Sequence, residues 1–253
     1  MKILLCILLV MIFFTSELVA ETIRITSGEW EPYLSKNTYQ HGLDSHIITE
    51  AFKLEGVDVE WGFFPWQRAY ENAKKIGDWD ASCCWWPDKK TKKEFLVSDA
   101  ITETYFVFYH LKSYKFHWNS LEDLEGRKIG GTTEYHYSNE FMDALEAKTL
   151  NIEYTSKDEF NYKKLLAGRI ELFPNDPSVG NAQIRNNLSP DDASLLTYNP
   201  KIFGESTLHL IMSKNHKRNK YFLDKFNAGL KKLKASGRYQ QMLNDLKAGK
   251  YDD

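Results

Sequence analysis

The sequence predicts an α/β protein of two lobes, each a mainly parallel sheet flanked by helices. Three observations predict it. From residue 22 to residue 85, short β-branched runs alternate with amphipathic helical runs, the order expected of parallel strands joined by helical crossovers. The same alternation starts again at residue 105 and continues to about residue 205. The chain then returns through one more strand to two closing helices, and no proline-rich or low-complexity linker separates the units.

Thr22–Thr26 (TIRIT) alternates and is β-branched, so it reads as the first strand, with a turn at Ser27-Gly28. Asp44 is placed to cap a helix through Lys53, whose Ile47, Ile48, Ala51 and Phe52 fall at helical spacing, and Gly56 closes it. Val57–Phe63 is the second strand. Pro65 opens a helix to about Ile76, because proline at the first helical position sacrifices no needed N–H. Trp79–Trp85 is the third strand.

In the second unit Tyr105–Leu111 is an aromatic strand and Leu121–Arg127 a short turn-like lead-in. Lys128–Gly130 begins the next strand, and Gly131-Thr132-Thr133 is expected to cap a helix from Glu134 to Lys148. Asn151–Tyr154 is a strand, Asp158–Ala167 a helix ended by Gly168, Ile170–Phe173 a strand, and Asp176 the cap of a helix to Asn187. Thr207–Met212 is the returning strand; Lys217–Ala235 and Arg238–Lys247 are the closing helices. The expected boundaries are a signal peptide over 1–20 and a second α/β unit over 105–205, joined to the first by crossing strands near Glu103 and Gly204.

The leader is MKILLCILLVMIFFTSELVA: a positive Lys2, an apolar stretch from Ile3 to Phe14, and a more polar exit ending in the small residue Ala20. It reads as a secretory signal peptide cleaved after Ala20, which makes the mature protein exported and periplasmic; an uncleaved anchor is the competing reading. Of three cysteines, Cys6 lies in this leader, so only Cys83 and Cys84 remain. Adjacent cysteines bridge poorly, which removes a disulfide framework and leaves two readings: small buried hydrophobes in a strand, or a strained vicinal disulfide. The histidines show no metal spacing, and neither a metal nor another cofactor is expected. A net charge of −2 with interspersed signs gives none of the basic face that nucleic acid requires. A monomer is expected.

In open α/β sheets ligands lie beyond the carboxyl ends of the strands. That rule selects Glu29, Trp30 and Tyr33 after the first strand, Phe64, Trp66 and Arg68 after the second, and Trp85 and Trp86 after the third. Across the cleft it selects Thr132, Thr133, Glu134 and Tyr135, then Asn175 and Asp176. The stretch SCCWWPD thus reads as a buried strand whose last residues leave the sheet at the cleft mouth. Tryptophan at three separate strand ends favours an aromatic ligand wall over core packing. The Gly131-Thr132-Thr133 helix start would offer N–H groups to an anion, or would simply be a cap.

The chain is similar to the family 3 periplasmic solute-binding proteins, which serve polar amino-acid ABC transporters. The residues carrying the resemblance are IRITSGEWEPY, GDWDAS, EFLVSDAIT, LEDLEGRKIGGTTEYHYSNEF, LLAGRIELFPND and the closing GRYQQMLNDL. PWQRA resembles a Pro-Trp-x-Arg-Ala motif of one branch of that family. The resemblance implies the two-lobed periplasmic binding protein fold, with 21–104 plus 206–253 as first lobe and 105–205 as second, closing on a ligand in the cleft between them, and a membrane permease as partner. It implies that Asp176 takes a ligand ammonium group. It also implies an arginine shortly before Phe-Ser/Thr-Asp to hold the carboxylate, but counting back from Asp99 lands on Thr91, amid Lys89, Lys90, Lys92 and Lys93. The lysine run reads either as a solvated face or as a partial substitute; Arg68 is the expected replacement anchor.

The function expected is capture of a small polar or zwitterionic, amino-acid-like solute for an ABC-type permease. A ligand-sensing partner of a membrane receptor is the first alternative. A dehydratase-like enzyme on the same fold is the second; Glu29, Glu134 and His136 are its only acid–base candidates, and no nucleophile–base pair accompanies them.

Overall fold

The computed structural model describes residues 21–133 and 135–252; the expected signal peptide and Glu134 lie outside the described residues. Strand β1 (Glu21–Ser27) pairs in parallel with β2 (Val57–Phe63) along its whole length, from Glu21 opposite Val57 to Ser27 opposite Phe63. Helix α1 (Leu43–Lys53) makes the crossover, and α2 (Trp66–Lys74) leads to β3 (Ala81–Trp85), which pairs in parallel on the other side of β1. With β4 (Phe95–Val97) and the returning β10 (His209–Ser213) the sheet has the order β2-β1-β3-β10-β4, β10 running antiparallel to both neighbours. A short helix, α3 (Lys89–Glu94), occupies the lysine run between β3 and β4.

This sheet buries Ile23 and Ile25 against α1 and the long closing helix α8 (Asn219–Ala235), whose Phe222, Phe226 and Leu230 meet Phe52 across the core. The two helices cross closely at Gly229: a Cβ there would lie 1.9 Å from the Ala51 carbonyl oxygen. Helix α9 (Arg238–Lys247) completes the lobe.

In the second lobe β5 (Glu103–Leu111) is the central strand, antiparallel to β8 (Phe173–Asn175) and to β9 (Leu196–Thr207). A parallel pair, β6 (Ile129–Thr132) and β7 (Ile152–Thr155), is joined through α4 (Asn139–Glu146). Helices α5 (Asp158–Leu166), α6 (Pro177–Asn187) and α7 (Pro190–Leu195) cover it. Each lobe therefore combines parallel and antiparallel pairing. The crossing segments run side by side, with Glu103 opposite Thr207 and Tyr105 opposite Glu205.

Four expectations shift. Asp44 does not cap α1: Gly42 precedes the helix, and Asp44 sits in its first turn, wholly buried. The strand placed at 170–173 is instead Phe173–Asn175, because pairing with β5 sets its register and the polar Asn175 is satisfied internally. Strand β9 begins at Leu196; with Leu196 its one buried residue and Pro200 in its midst, it lacks the alternation that marks a strand. Helix α4 begins not at Glu134 but after Ser138, whose Oγ accepts from Phe141 N at 3.1 Å.

Because α8 can accommodate a side chain at residue 229 only by moving away from α1, Gly229→Ala is expected to destabilise the protein by about 1–3 kcal/mol, as overpacking does. Urea unfolding of the two proteins measures it.

Candidate functional site

The pairing of β3 with β10 slips by one residue: Ile211 faces Ser82 but His209 faces Trp85, so Cys83 and Cys84 together oppose a single residue. This is a β-bulge, and Cys84 takes a φ of 23°, in the left-handed region. Bulges bend a strand and redirect its side chains. Here the two residues that follow go to opposite walls. Trp85 packs edge-on against Trp66 and Tyr70 of α2, at 5.3 and 5.2 Å between ring centroids, and its Nε1 donates to Ser82 Oγ at 2.8 Å. Trp86 crosses to the second lobe, lying parallel to Phe106 of β5 (6.2 Å, 8°) and edge-on to His136 (5.1 Å).

Between these walls lies a cavity of about 320 Å³. Trp30, Trp66, Tyr70 and Trp85 face it from the first lobe. Trp86, Phe106, Tyr135 and His136 form the other side, although Trp86 reaches it from the chain of the first. Cys84, Thr104 and Leu208 also border it, while Asp88, Lys90 and Thr91 bring the start of α3 to its edge. No group of side chains among the described residues could hold a metal ion.

Residues 23–246 match the family model of the bacterial extracellular solute-binding proteins, family 3. The chain belongs to this family. Its fold is that of two-lobed binding proteins. It is similar, at 16% identity and a TM-score of 0.74, to a histidine kinase sensor domain described as similar to periplasmic binding proteins, with 90% of this chain and 96% of that one covered. It is similar to the arginine-, lysine-, histidine-binding protein ArtJ from Geobacillus stearothermophilus at 20% identity and a TM-score of 0.69, covering 89% and 95%. A third similar structure is the substrate-binding protein AbpA from Streptococcus pneumoniae, bound to L-arginine, at 16% identity and a TM-score of 0.71, covering 89% and 94%. At these identities the likeness is one of fold. No curated protein matches the chain.

Of the residues selected from the sequence of this solute-binding protein, Trp30, Trp66, Trp85, Trp86 and Tyr135 come together on the cavity wall. Tyr33 lies behind the wall, buried, with its ring stacked on Trp30 at 4.9 Å. Arg68 is not there. Its guanidinium lies 5.3 Å over the Phe64 ring, in a separate surface cleft with Asn72, Lys75 and Trp79. The reason is helical geometry: Trp66 and Tyr70, four apart, share the inward face, and two residues from Trp66 the helix has turned past its opposite side.

Thr132 and Thr133 do not begin a helix, so no helix N-terminus offers them an anion. Thr132 ends β6 with its hydroxyl donating to buried Asp158, and Thr133 donates through both N and Oγ1 to Thr155 O, at 2.8 and 3.0 Å. The expected cap failed because Tyr135 and Tyr137 are drawn into the cavity wall and the second-lobe core before the helix starts.

Asp176 caps α6 as expected, Oδ1 accepting from Ser178 N at 2.8 Å and Val179 N at 3.2 Å. Its Oδ2 accepts from Thr104 at 3.0 Å. It is almost wholly buried, one layer behind Thr104 rather than on the wall, and burial raises its pKa. Glu29 turns away to Lys36 N, and Asn175 serves Asp158, Tyr162 and Gln183.

Sequence reasoning missed Tyr70, Cys84, Thr104, Phe106 and Leu208 as lining residues, and gave Asp88 no role. Two of these carried a signal: Tyr70 stands one helical turn from Trp66, and Phe106 shares a strand face with Thr104. Thr91, where the family comparison places an arginine, does stand at the cavity.

Beside the cavity, Asp44 is wholly buried, accepts from Thr102 Oγ1 at 2.9 Å and lies next to the Cys84 thiol; its Oδ2 has no hydrogen-bond partner. Burial is the main cause that lifts its carboxyl from 3.8 to about 7, and burial likewise pushes the Cys84 thiol up. Both cysteines are free thiols.

A carboxyl whose folded pKa lies above its unfolded one binds more protons folded than unfolded, so its contribution becomes less favourable as pH rises. From Asp44 the protein is expected to lose stability between about pH 4 and pH 7. Asp158 and Asp176, also raised, act in the same direction. Asp44→Asn, which keeps an oxygen for Thr102, should lose less stability than the wild type between pH 4.5 and pH 8. Urea unfolding at both values gives the two differences directly; equal differences would show that Asp44 stays charged.

Proposed function

We propose that this family 3 protein is exported and captures a small polar or zwitterionic, amino-acid-like solute between its lobes for an ABC-type permease. It acts as a monomer and catalyses no reaction. The lobes proposed are 21–104 plus 206–253, and 105–205. The observation that carries the reading is the cavity itself, with aromatic side chains from both lobes facing one space of about 320 Å³, near the lower bound of roughly 300 Å³ for small-ligand pockets. The contacting residues proposed are Trp30, Trp66, Trp85, Trp86 and Tyr135, with Tyr33 and Asp176 supporting from behind.

The wall gives an enzymatic reading no support. Among the described residues Asp88 is the carboxylate on it, and its Oδ1 already accepts from Thr91 N at 2.7 Å. His136 is engaged through Nε2 with Asn139 Oδ1 at 3.1 Å. A sensing role remains the second reading, favoured by the similarity in fold to a histidine kinase sensor domain.

Mass spectrometry of the natively purified and then denatured protein is expected to release a bound small molecule, and adding that molecule back should raise the melting temperature. The absence of both release and a melting shift across a broad metabolite panel would refute solute binding. With the released molecule as ligand, Trp86→Ala should weaken binding by about 1–3 kcal/mol, the range of a buried aromatic contact. Arg68→Ala should bind like the wild type, since its guanidinium faces another cleft.

A further inference from the structure

We propose that the solute is ring-bearing: an aromatic or heteroaromatic ring is held between the two walls, and a free α-carboxylate adds little to its binding. This rests on the solute-binding reading above and names the ligand class for the same cavity.

The first argument is what the walls are. Trp66, Trp85 and Tyr70 interlock edge-to-face, a favoured arrangement of aromatic pairs that fixes each ring by its neighbours. Facing them, Trp86 and Phe106 lie parallel, and His136 closes on the Trp86 edge. A ring entering this space meets π faces and ring edges, whereas a short aliphatic zwitterion would leave most of that apolar surface uncovered.

The second argument is what the polar groups are already doing. Trp85 Nε1 donates to Ser82. The Thr104 hydroxyl donates to Asp176, and Asp88 caps α3. Among the described lining residues these three groups each have an internal partner already, which leaves them less available to the two ends of an amino acid.

The third argument concerns charge. A carboxylate is best held by the planar fork of an arginine, which makes two parallel hydrogen bonds. Among the described residues no arginine lines the cavity. Arg68 lies over Phe64, and Lys90 offers a point charge whose Nζ sits 5.6 Å over the Tyr70 ring. A cation resting on an aromatic face at the cavity edge is a weaker and less directional anchor than a fork aimed into it. Most of the binding free energy must therefore come from the ring.

The test is titration calorimetry on the full mature protein with three sets of probes: L-tryptophan, L-phenylalanine and L-histidine; the matching amines tryptamine, phenethylamine and histamine; and the aliphatic L-arginine, L-glutamine and L-alanine. At least one ring-bearing pair is expected to bind, its amine within about threefold of its amino acid because no bidentate anchor is lost. The aliphatic set should bind at least about tenfold more weakly. Phe106→Ala should weaken the ring probe by about tenfold or more. Phe106→Tyr, which keeps the ring, should not, and so separates a binding loss from a folding loss.

If an aliphatic amino acid binds as tightly as the best ring probe, the ring inference is overturned while solute binding stands. An amine more than about tenfold weaker than its amino acid would overturn the claim about the carboxylate. Absence of binding by all three sets, with no small molecule released on denaturation, would overturn the ring inference together with the solute-binding reading beneath it.

Discussion

Two threonines on the segment entering the second lobe fix the geometry between the lobes. Thr102 donates to Asp44 in the first turn of α1, and Thr104 donates to Asp176 at the head of α6. Being two apart, they share one face of an extended chain, and each grips a buried carboxyl belonging to a different lobe. The backbone adds to this: Ile101 N donates to Leu208 O and Leu208 N to Thr102 O, both at 2.9 Å, so the outgoing and returning segments are tied to each other before either enters a lobe. Leaving either carboxyl without its threonine would leave a polar group in a dry place, which costs more than an ordinary hydrogen bond contributes. Part of the cavity wall lies directly on this double anchorage. Thr104 itself borders the cavity, Phe106 follows on the same strand face, and Leu208 comes from the returning segment.

The fold was legible where local signals and tertiary demands agree. Val57–Phe63 forms the strand its β-branched alternation indicates, and Asp176 caps the helix it precedes. It was illegible where pairing or burial overrides the local signal. Strand β9 fully buries only Leu196, so no apolar alternation marks it, and its long antiparallel ladder with β5 makes it a strand. Thr132 and Thr133 carry the composition of a helix cap, but Thr132 is needed by Asp158 and Thr133 by Thr155. Asp44 has the right residue type for a cap too, but it stands two residues past Gly42, inside the first turn of the helix.

The site was legible in its aromatic half. The rule that ligands lie beyond strand ends finds Trp30, Trp66, Trp85 and Trp86 because it depends only on where strands stop. It fails for Arg68 because strand ends say nothing of which face of the following helix points inward. The resemblance to amino-acid binders implies an anchoring arginine, and the cavity has none among its described residues. The departure of the sequence from the family pattern at Thr91 was thus more informative than the pattern, since that position does border the cavity.

The paired cysteines find their explanation in the bulge rather than in redox chemistry. A bulged residue in the left-handed region is more often glycine, which lacks the Cβ that makes this conformation costly. Glycine at residue 84 would remove the thiol that lies beside Asp44, opening space around a carboxyl already short of one partner. A larger side chain would take up cavity space, since residue 84 borders it. Cysteine is small, apolar enough to be buried, and a weak hydrogen-bond donor. Cys83 turns to the other side, its Sγ 3.8 Å from Ser27 Oγ at the end of β1. The bulge then sends Trp85 into the first wall and Trp86 into the second. One extra residue in a short strand lets a single dipeptide supply both sides of the cavity.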